Sequence, residues 1–268
     1  RRHQKVVEEA PSSFLDDSTR SEMGIQSVKL AKEVNYFSAG TVEFVVDKKK
    51  NFYFLEMNTR LQVEHPVTEL VTNIDLVEQM IRVANNKKIL IEQKNIIING
   101  WSFESRLCAE SPKKNFLPSA GRIEYLNFPE KNIRIDYGYL SGNEVSIYYD
   151  SLLAKVVSKG KNRMDALRLM QDALRKISVK GIDSNIDFLM DIFKNKLFME
   201  GNINTNFIAE VYKDGYKGKT NDKEEIEIMQ YMAFTCHLDY LISVNYNIKE
   251  IAKNWIIESS YKTIKLEI

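Results

Sequence analysis

The stretch Glu56-Met57-Asn58-Thr59-Arg60-Leu61-Gln62-Val63-Glu64-His65-Pro66 alternates with a period of two. Glu56, Asn58, Arg60, Gln62 and Glu64 fall on one side, and Met57, Thr59, Leu61 and Val63 on the other. Alternate side chains of an extended chain point to opposite faces. Polar and ionisable groups therefore line one face over a mostly apolar backing. An edge strand with one wet face alternates in the same way, but the flanking residues argue for more. Phe52-Tyr53-Phe54-Leu55 reads as a strand buried on both faces. Gly40-Thr41-Val42-Glu43-Phe44-Val45-Val46-Asp47 reads as its hairpin partner, joined through Lys48-Lys49-Lys50-Asn51.

With that loop, Asp47 faces Phe52, Val45 faces Phe54 and Glu43 faces Glu56. Like charges directly across two strands are destabilising, and a divalent cation between them reverses the sign. Hard oxygen ligands with few protein contacts suit magnesium held jointly with phosphates. Without a ligand the same two carboxylates are a solvated cross-strand pair, and both readings depend on the register.

The chain has 268 residues, enough for one large or two small domains. Hydrophobic residues make up 44% and charged residues 28%, which permits a packed core. A net charge of +1 gives no basic field, so nucleic-acid binding is not expected. Cys108 and Cys236 are far apart and lack metal-ligand spacing. No stretch reaches about 18 apolar residues, so no membrane span is expected. The first residue is Arg1, and no signal or transit pattern follows; the chain reads as an internal piece of a longer polypeptide.

Asp16, Asp17 or Ser18 can cap a helix from about Thr19 to Tyr36, with Ile25, Val28, Leu30, Ala31 and Val34 on its buried side. Pro66 suits a first helical turn, and Ile74, Leu76, Val77, Met80, Ile81 and Val83 form a second amphipathic helix. Strands are expected at Ile96 to Ile98, Trp101 to Leu107, Arg122 to Phe128, Ile133 to Tyr137, and Ile147 to Tyr149 leading into Leu152 to Val157. Turn residues such as Pro118-Ser119-Ala120-Gly121 separate them. Asn162 can cap a helix carrying Leu167, Met170, Leu174 and Ile177, and another helix presents Ile186, Leu189, Met190 and Phe193. Strands followed by helices suggest an α+β unit. Lys223 to Val244 reads as helical, and Lys262 to Ile268 as the start of a strand.

Phe52 to Leu70, FYFLEMNTRLQVEHPVTEL, together with GTVEFV from Gly40, resembles the catalytic segment of the biotin carboxylases of the ATP-grasp superfamily. So do RRHQKVVEEAP at Arg1 and NEVSIYYDSLLAK at Asn143. The resemblance implies the C-terminal lobe of an ATP-grasp fold over residues 1–97 and the biotin carboxylase C-terminal α+β domain over 98–210. Residues 211–268 resemble the region that follows the carboxylase domain in propionyl-CoA carboxylase α subunits. There it opens a domain that docks the carboxyltransferase (β) subunit.

The implied reaction is a ligation. Bicarbonate attacks the γ-phosphate of ATP to give carboxyphosphate, and biotin then captures the carboxyl group. Phosphoryl transfer needs cations on phosphate oxygens, and the resemblance makes Glu43 and Glu56, with Asn58, ligands for Mg2+ (or Mn2+). His3 is placed near the nucleotide. Lys5 and Arg60 hold the bicarbonate-derived anion, the first as a point charge and the second as a planar fork, with Gln62 and the Val63 N–H completing the pocket. Glu64 is the general base; read alone, it is a partner for a nearby Arg or Lys. Arg106, in Glu104-Ser105-Arg106, is the second arginine, stabilising negative charge on the biotin oxygen; read alone, it pairs with Glu104's strand neighbours. Ser105 replaces a cysteine of the family's E-C-R, and Glu110-Ser111 departs from its usual E-D. His65 is read as a helix-entry residue.

Biotin is expected on a carrier domain outside this chain, and the carboxylase domain is expected to form a homo-oligomer. The family's compartment is the cytoplasm in bacteria and the mitochondrial matrix in eukaryotes. The first ATP-grasp lobe, with its glycine-rich phosphate loop, has no counterpart in these residues, so the chain by itself is expected to be inactive. Acetyl-CoA carboxylase, pyruvate carboxylase and a non-catalytic assembly fragment remain alternatives.

Overall fold

A computed structural model describes residues 5–218, 223–244, 254–258 and 263–267. The chain divides into two compact units, residues 1–216 and 217–268. The first is built on a four-stranded antiparallel sheet. Strand β1 (Val7–Ala10) pairs with β4 (Trp101–Cys108), β4 pairs with the strand Leu152–Gly160, and that strand pairs with Arg134–Tyr137 at the far edge. Sheet and helices together bear out the α+β reading.

Phe103, Ser105 and Leu107 alternate along β4 toward one side and are fully buried. Against them packs the helix Arg163–Lys176, started by Asn162, whose side chain accepts from the Asp165 N–H. Leu167, Met170 and Leu174 are fully buried there, as are Phe188, Leu189 and Phe193 of the helix Ile186–Lys194. Each such side chain contributes about 1.5–3 kcal/mol by leaving water.

The opposite face of the sheet is covered by helix α2 (His65–Thr72), which contacts β1, β4 and Leu152–Gly160. Pro66 sits in its first turn, and Asn73 ends it in the left-handed conformation at φ 57°. The helical turn expected at Pro66 and the amphipathic helix expected from Ile74 to Val83 are thus separate elements. Helix α3 (Leu76–Ala84) starts afresh, with Asp75 accepting from the Glu78 N–H, and Ile74 lies in the turn between them.

Several expectations give way. Helix α1 (Asp17–Glu33) is capped by Asp16 as predicted, but Ile25, Val28 and Val34 are exposed; the only buried side chain in it is Thr19. The hairpin of β2 (Thr41–Val46) and β3 (Phe52–Asn58) forms, yet Tyr53, Phe54 and Leu55 are more than half exposed because nothing in the described chain packs over them. Ile96 to Ile98 finds no partner strand and remains a loop, tied by the Asn99 N–H to the Val71 carbonyl. Ile147 to Tyr149 is a turn, with Tyr148 and Tyr149 projecting into solvent. Arg122 to Phe128 breaks into Gly121–Arg122 and Tyr125–Asn127, which pair with different partners.

The second unit contains the helix Lys223–Ser243, as expected, and two antiparallel strands, Asn254–Glu258 and Thr263–Glu267. Trp255 stacks edge-on against Phe234. No helix among the described residues is long and apolar enough to cross a membrane.

Candidate active site

Where β3 leaves the hairpin, the alternating stretch runs along a cleft of about 570 Å³. Lys5, Glu43, Glu56, Asn58, Arg60, Gln62, Val63, Glu64 and Arg106 all line it. His3 lies outside the described residues. Side chains drawn from the N-terminal segment, the hairpin, the approach to α2 and β4 thus converge on one cavity.

The hairpin reaches the anticipated juxtaposition by another route. Val46 pairs with Phe52, Val45 with Tyr53 and Phe44 with Phe54, one residue out of the expected register. The Asp47 N–H donates to the Asn51 carbonyl, so the loop closes one residue earlier than expected. A bulge then leaves Leu55 unpaired, and Glu43 lands opposite Glu56 after all. Gly40 brings the chain in close to Asn58. A Cβ there would sit 2.8 Å from the Tyr36 ring and 3.1 Å from the Asn58 carbonyl oxygen.

The charge repulsion between Glu43 and Glu56 is bridged by protein donors. Asn58 Nδ2 donates to Glu43 Oε1 at 3.1 Å and to Glu56 Oε1 at 3.0 Å. Glu43 Oε1 also accepts from Gln62 Nε2 at 2.7 Å and Lys5 Nζ at 2.8 Å. The Gln62 and Lys5 hydrogen bonds hold the Glu43 carboxyl below its ordinary pKa despite partial burial. Burial works against the charged form of Lys5, but its hydrogen bonds to Glu43 and Glu64 prevail and raise it. Two carboxylates and an amide oxygen on one rim are a hard-oxygen donor set suited to magnesium shared with phosphate ligands.

Glu64 stands between two cations. Lys5 Nζ donates to Oε1 at 2.5 Å, and Arg106 Nη2 to Oε2 at 3.0 Å. Arg106 Nε also donates to Glu8 Oε1 at 2.7 Å, and Glu8 is the cross-strand neighbour of Glu104. Arg60 is exposed, and its Nη1 donates to the Leu61 carbonyl at 3.2 Å. Among the described residues no carboxylate lies within 4 Å of its guanidinium, which leaves the planar fork available to an anion.

The far wall carries groups that sequence reasoning left without a role. Glu110 is buried and accepts from Ser151 Oγ at 2.6 Å. Asn185 clamps the β4 backbone: its Oδ1 accepts from the Cys108 N–H at 2.8 Å and its Nδ2 donates to the Arg106 carbonyl at 2.9 Å. An isolated Asn ahead of a helix carries no signal for such a contact. Ser105 points away from the cleft, with its hydroxyl 3.5 Å from Met170 Sδ, so the departure from cysteine falls in the core.

Comparison with known proteins agrees with this layout. Residues 1–92 match the family Carbamoyl-phosphate synthase L chain, ATP binding domain, and residues 104–210 match Biotin carboxylase C-terminal domain. The propionyl-CoA carboxylase alpha chain, mitochondrial, of Sus scrofa is 54% identical over 228 residues, covering 84% of this chain and 31% of that protein. The biotin carboxylase domain dimer of Hydrogenobacter thermophilus 2-oxoglutarate carboxylase, solved with MgADP, ADP and bicarbonate, is 44% identical with a TM-score of 0.77. The match covers 78% of this chain and 47% of that one. Pyruvate carboxylase of Rhizobium etli superposes with a TM-score of 0.80 at 32% identity, over 97% of this chain and 27% of that one. The chain spans about a third of the length of the curated relatives it matches. With both family matches falling on the segments that wall the cleft, the chain belongs to the biotin carboxylase family.

Proposed function

We propose that this chain is part of a biotin-dependent acyl-CoA carboxylase of the propionyl-CoA type, a ligase that uses ATP and bicarbonate to carboxylate biotin through carboxyphosphate. The observation that carries the reading is the cleft itself, where two arginines, a lysine and four glutamates meet. The relative solved with MgADP and bicarbonate supports it. In this reading residues 1–97 are the C-terminal ATP-grasp lobe and 98–210 the carboxylase C-terminal domain. Residues 211–268 are the linker and start of a domain that docks the carboxyltransferase β subunit.

Glu43 and Glu56, with Asn58, would hold Mg2+ or Mn2+, which supplies divalent charge for phosphate oxygens when bound. His3 belongs near the nucleotide. Lys5 Nζ and the Arg60 fork bind bicarbonate, assisted by the Gln62 side chain and the Val63 N–H. Glu64 accepts the bicarbonate proton on a carboxylate oxygen that Lys5 and Arg106 keep aimed into the cleft. Arg106 places fixed positive charge where the ureido oxygen of biotin would gain negative charge. Biotin, on a carrier domain elsewhere, supplies the nitrogen that takes up the carboxyl group. The mitochondrial relatives support the matrix in a eukaryote, and the Ruegeria pomeroyi relative supports the cytoplasm in a bacterium. The dimeric neighbour supports a homo-oligomer.

The test is bicarbonate-dependent ATP cleavage by the full-length protein that carries this sequence, stimulated by free biotin and lost in Glu64→Gln. ATP cleavage that ignores bicarbonate would overturn the reading. The near-complete superposition on pyruvate carboxylase favours a second acceptor. Assaying propionyl-CoA, acetyl-CoA and pyruvate with the carboxyltransferase partner decides between them.

A further inference from the structure

The sheet face beneath α2 carries a pair of carboxylates that the proposed chemistry does not use. Glu8 of β1 lies directly opposite Glu104 of β4. Glu104 is completely buried, and among the described residues neither of its carboxylate oxygens has a hydrogen-bond partner. The same holds for Glu8 Oε2, while Glu8 Oε1 accepts from Arg106.

The cations nearby are already engaged. Arg106 is shared between Glu8 and Glu64. Lys155, opposite Arg106 on the next strand, pairs with Asp136 at 3.1 Å and donates to the Val63 carbonyl. Lys5 bonds Glu43 and Glu64. From α2, Glu69 is taken by Arg134. Among the described residues no cation hydrogen-bonds Glu104. An ionised carboxylate buried without a partner is far more costly than the neutral acid, and two facing carboxylates resist joint ionisation.

We infer that Glu8 and Glu104 hold one proton between them, Glu104 as the neutral acid and Glu8 ionised, and that this arrangement positions Arg106. With Glu104 uncharged, Glu8 is the single anion below the guanidinium. It holds the Nε and Nη2 edge from one side, while Nη2 also reaches Glu64 at 3.0 Å on the side of the cleft. Ionising Glu104 would add a second attraction from below and draw Arg106 away from Glu64. Burial, reinforced by the Glu8 charge and opposed by Lys155 and Arg106, pushes Glu104 up to about 9. Burial raises Glu8 to about 7, with Arg106 opposing. The positioning role rests on the carboxylase reading of Arg106, but the shared proton does not.

The experiment uses the full-length protein and has two arms. Infrared spectroscopy should show the carbonyl stretch of a buried carboxylic acid at neutral pH. That band should be missing in Glu104→Gln, and in the wild type it should fade only as pH passes about 9. If Glu104→Gln does not fold, the wild-type titration decides alone. A spectrum without a buried acid band at neutral pH overturns the inference. In the second arm, biotin carboxylation should fall at alkaline pH in the wild type and lose that fall in Glu104→Gln, whose amide stays neutral. Glu8→Gln should lower kcat about tenfold or more while leaving the KM for ATP nearly unchanged. An identical alkaline fall in wild type and Glu104→Gln overturns the positioning role. Absence of bicarbonate-dependent ATP cleavage in the wild type counts against the carboxylase reading, and the infrared arm then still decides the proton.

Discussion

Arg60 and Arg106 bring the same charge into one cleft in different company. Arg60 is exposed with its fork unengaged by carboxylates among the described residues, whereas Arg106 is held by Glu8 and Glu64. The proposed roles separate accordingly. The bicarbonate-derived anion is present in both half-reactions, and the charge on biotin only in the second. In the full-length protein, Arg60→Ala should depress both bicarbonate-dependent ATP cleavage and biotin carboxylation. Arg106→Ala should depress biotin carboxylation much more than ATP cleavage without biotin. Removing a preorganised group of this kind costs about a hundred- to thousand-fold, and lysine should rescue poorly because it lacks the fork. The measurement is ATP hydrolysis with and without free biotin, alongside carboxybiotin yield; proportionate loss of both activities in both variants would refute the division. Glu104 makes a residue-scale prediction about stability. Its pKa is raised from 4.5 to about 9 on folding, so its contribution is complete below the unfolded value and is lost as pH rises through the folded one. Between these limits the native state binds the extra proton, and stability should fall with pH by up to about 1.4 kcal/mol per unit. Chemical unfolding of wild type and Glu104→Gln across that window should show the slope reduced in the variant.

At the scale of elements, the β2–β3 hairpin shows what a sequence discloses and what it withholds. The alternation over Glu56 to Glu64 is local, and so are the caps at Asp16 and Asn162; all can be seen in the residues themselves. The register was less legible. A shift at the loop and a bulge at Leu55 cancel, so Glu43 meets Glu56 although the intervening pairs differ from those expected. The contacts of Arg106 were legible only as alternatives, because Glu8 lies 98 residues away and joins it through strand pairing that no periodicity reveals. Asn185 escaped notice for the same reason. The apolar residues of α1 and β3 were assumed to be covered, and burial depends on what packs above them. The hairpin also carries its own test. Glu43→Gln and Glu56→Gln each remove one charge from facing positions, so each should raise the magnesium concentration needed for half-maximal activity of the full-length protein. Glu43→Gln should do so more strongly, since Glu43 also anchors Lys5 and Gln62. Unchanged magnesium titrations in both variants would mean that the pair is only a cross-strand contact bridged by Asn58.

At the scale of the molecule, the unit of residues 1–216 has a packed part and an open part, which meet at the cleft. The sheet from β1 to Arg134–Tyr137 is sealed by helices on both faces and buries Phe103, Leu107, Phe188 and Phe193. The hairpin and α1, by contrast, leave Phe54, Leu55, Ile25 and Val28 in solvent. These side chains have apolar surface that a covering segment could bury, and the Hydrogenobacter carboxylase chain, about twice the length of the segment that matches it, has residues beyond the match. The resemblance implies that the nucleotide is gripped from two sides, and in the proposed function the residues here would line one of them. Binding that depends on groups converging from both walls loses the pre-organisation that makes it favourable when one wall is absent. The 268-residue chain by itself is therefore predicted to lack bicarbonate-dependent ATP cleavage, even with Lys5, Arg60, Glu64 and Arg106 all in place. The same chain within the full-length protein should be active, so the comparison isolates the missing wall from any defect in the cleft. The check is ATP turnover by the pure chain at saturating magnesium and bicarbonate, beside its Glu64→Gln variant to exclude a contaminating ATPase. Turnover by the chain that disappears in the variant would show that one wall suffices to hold and activate the nucleotide.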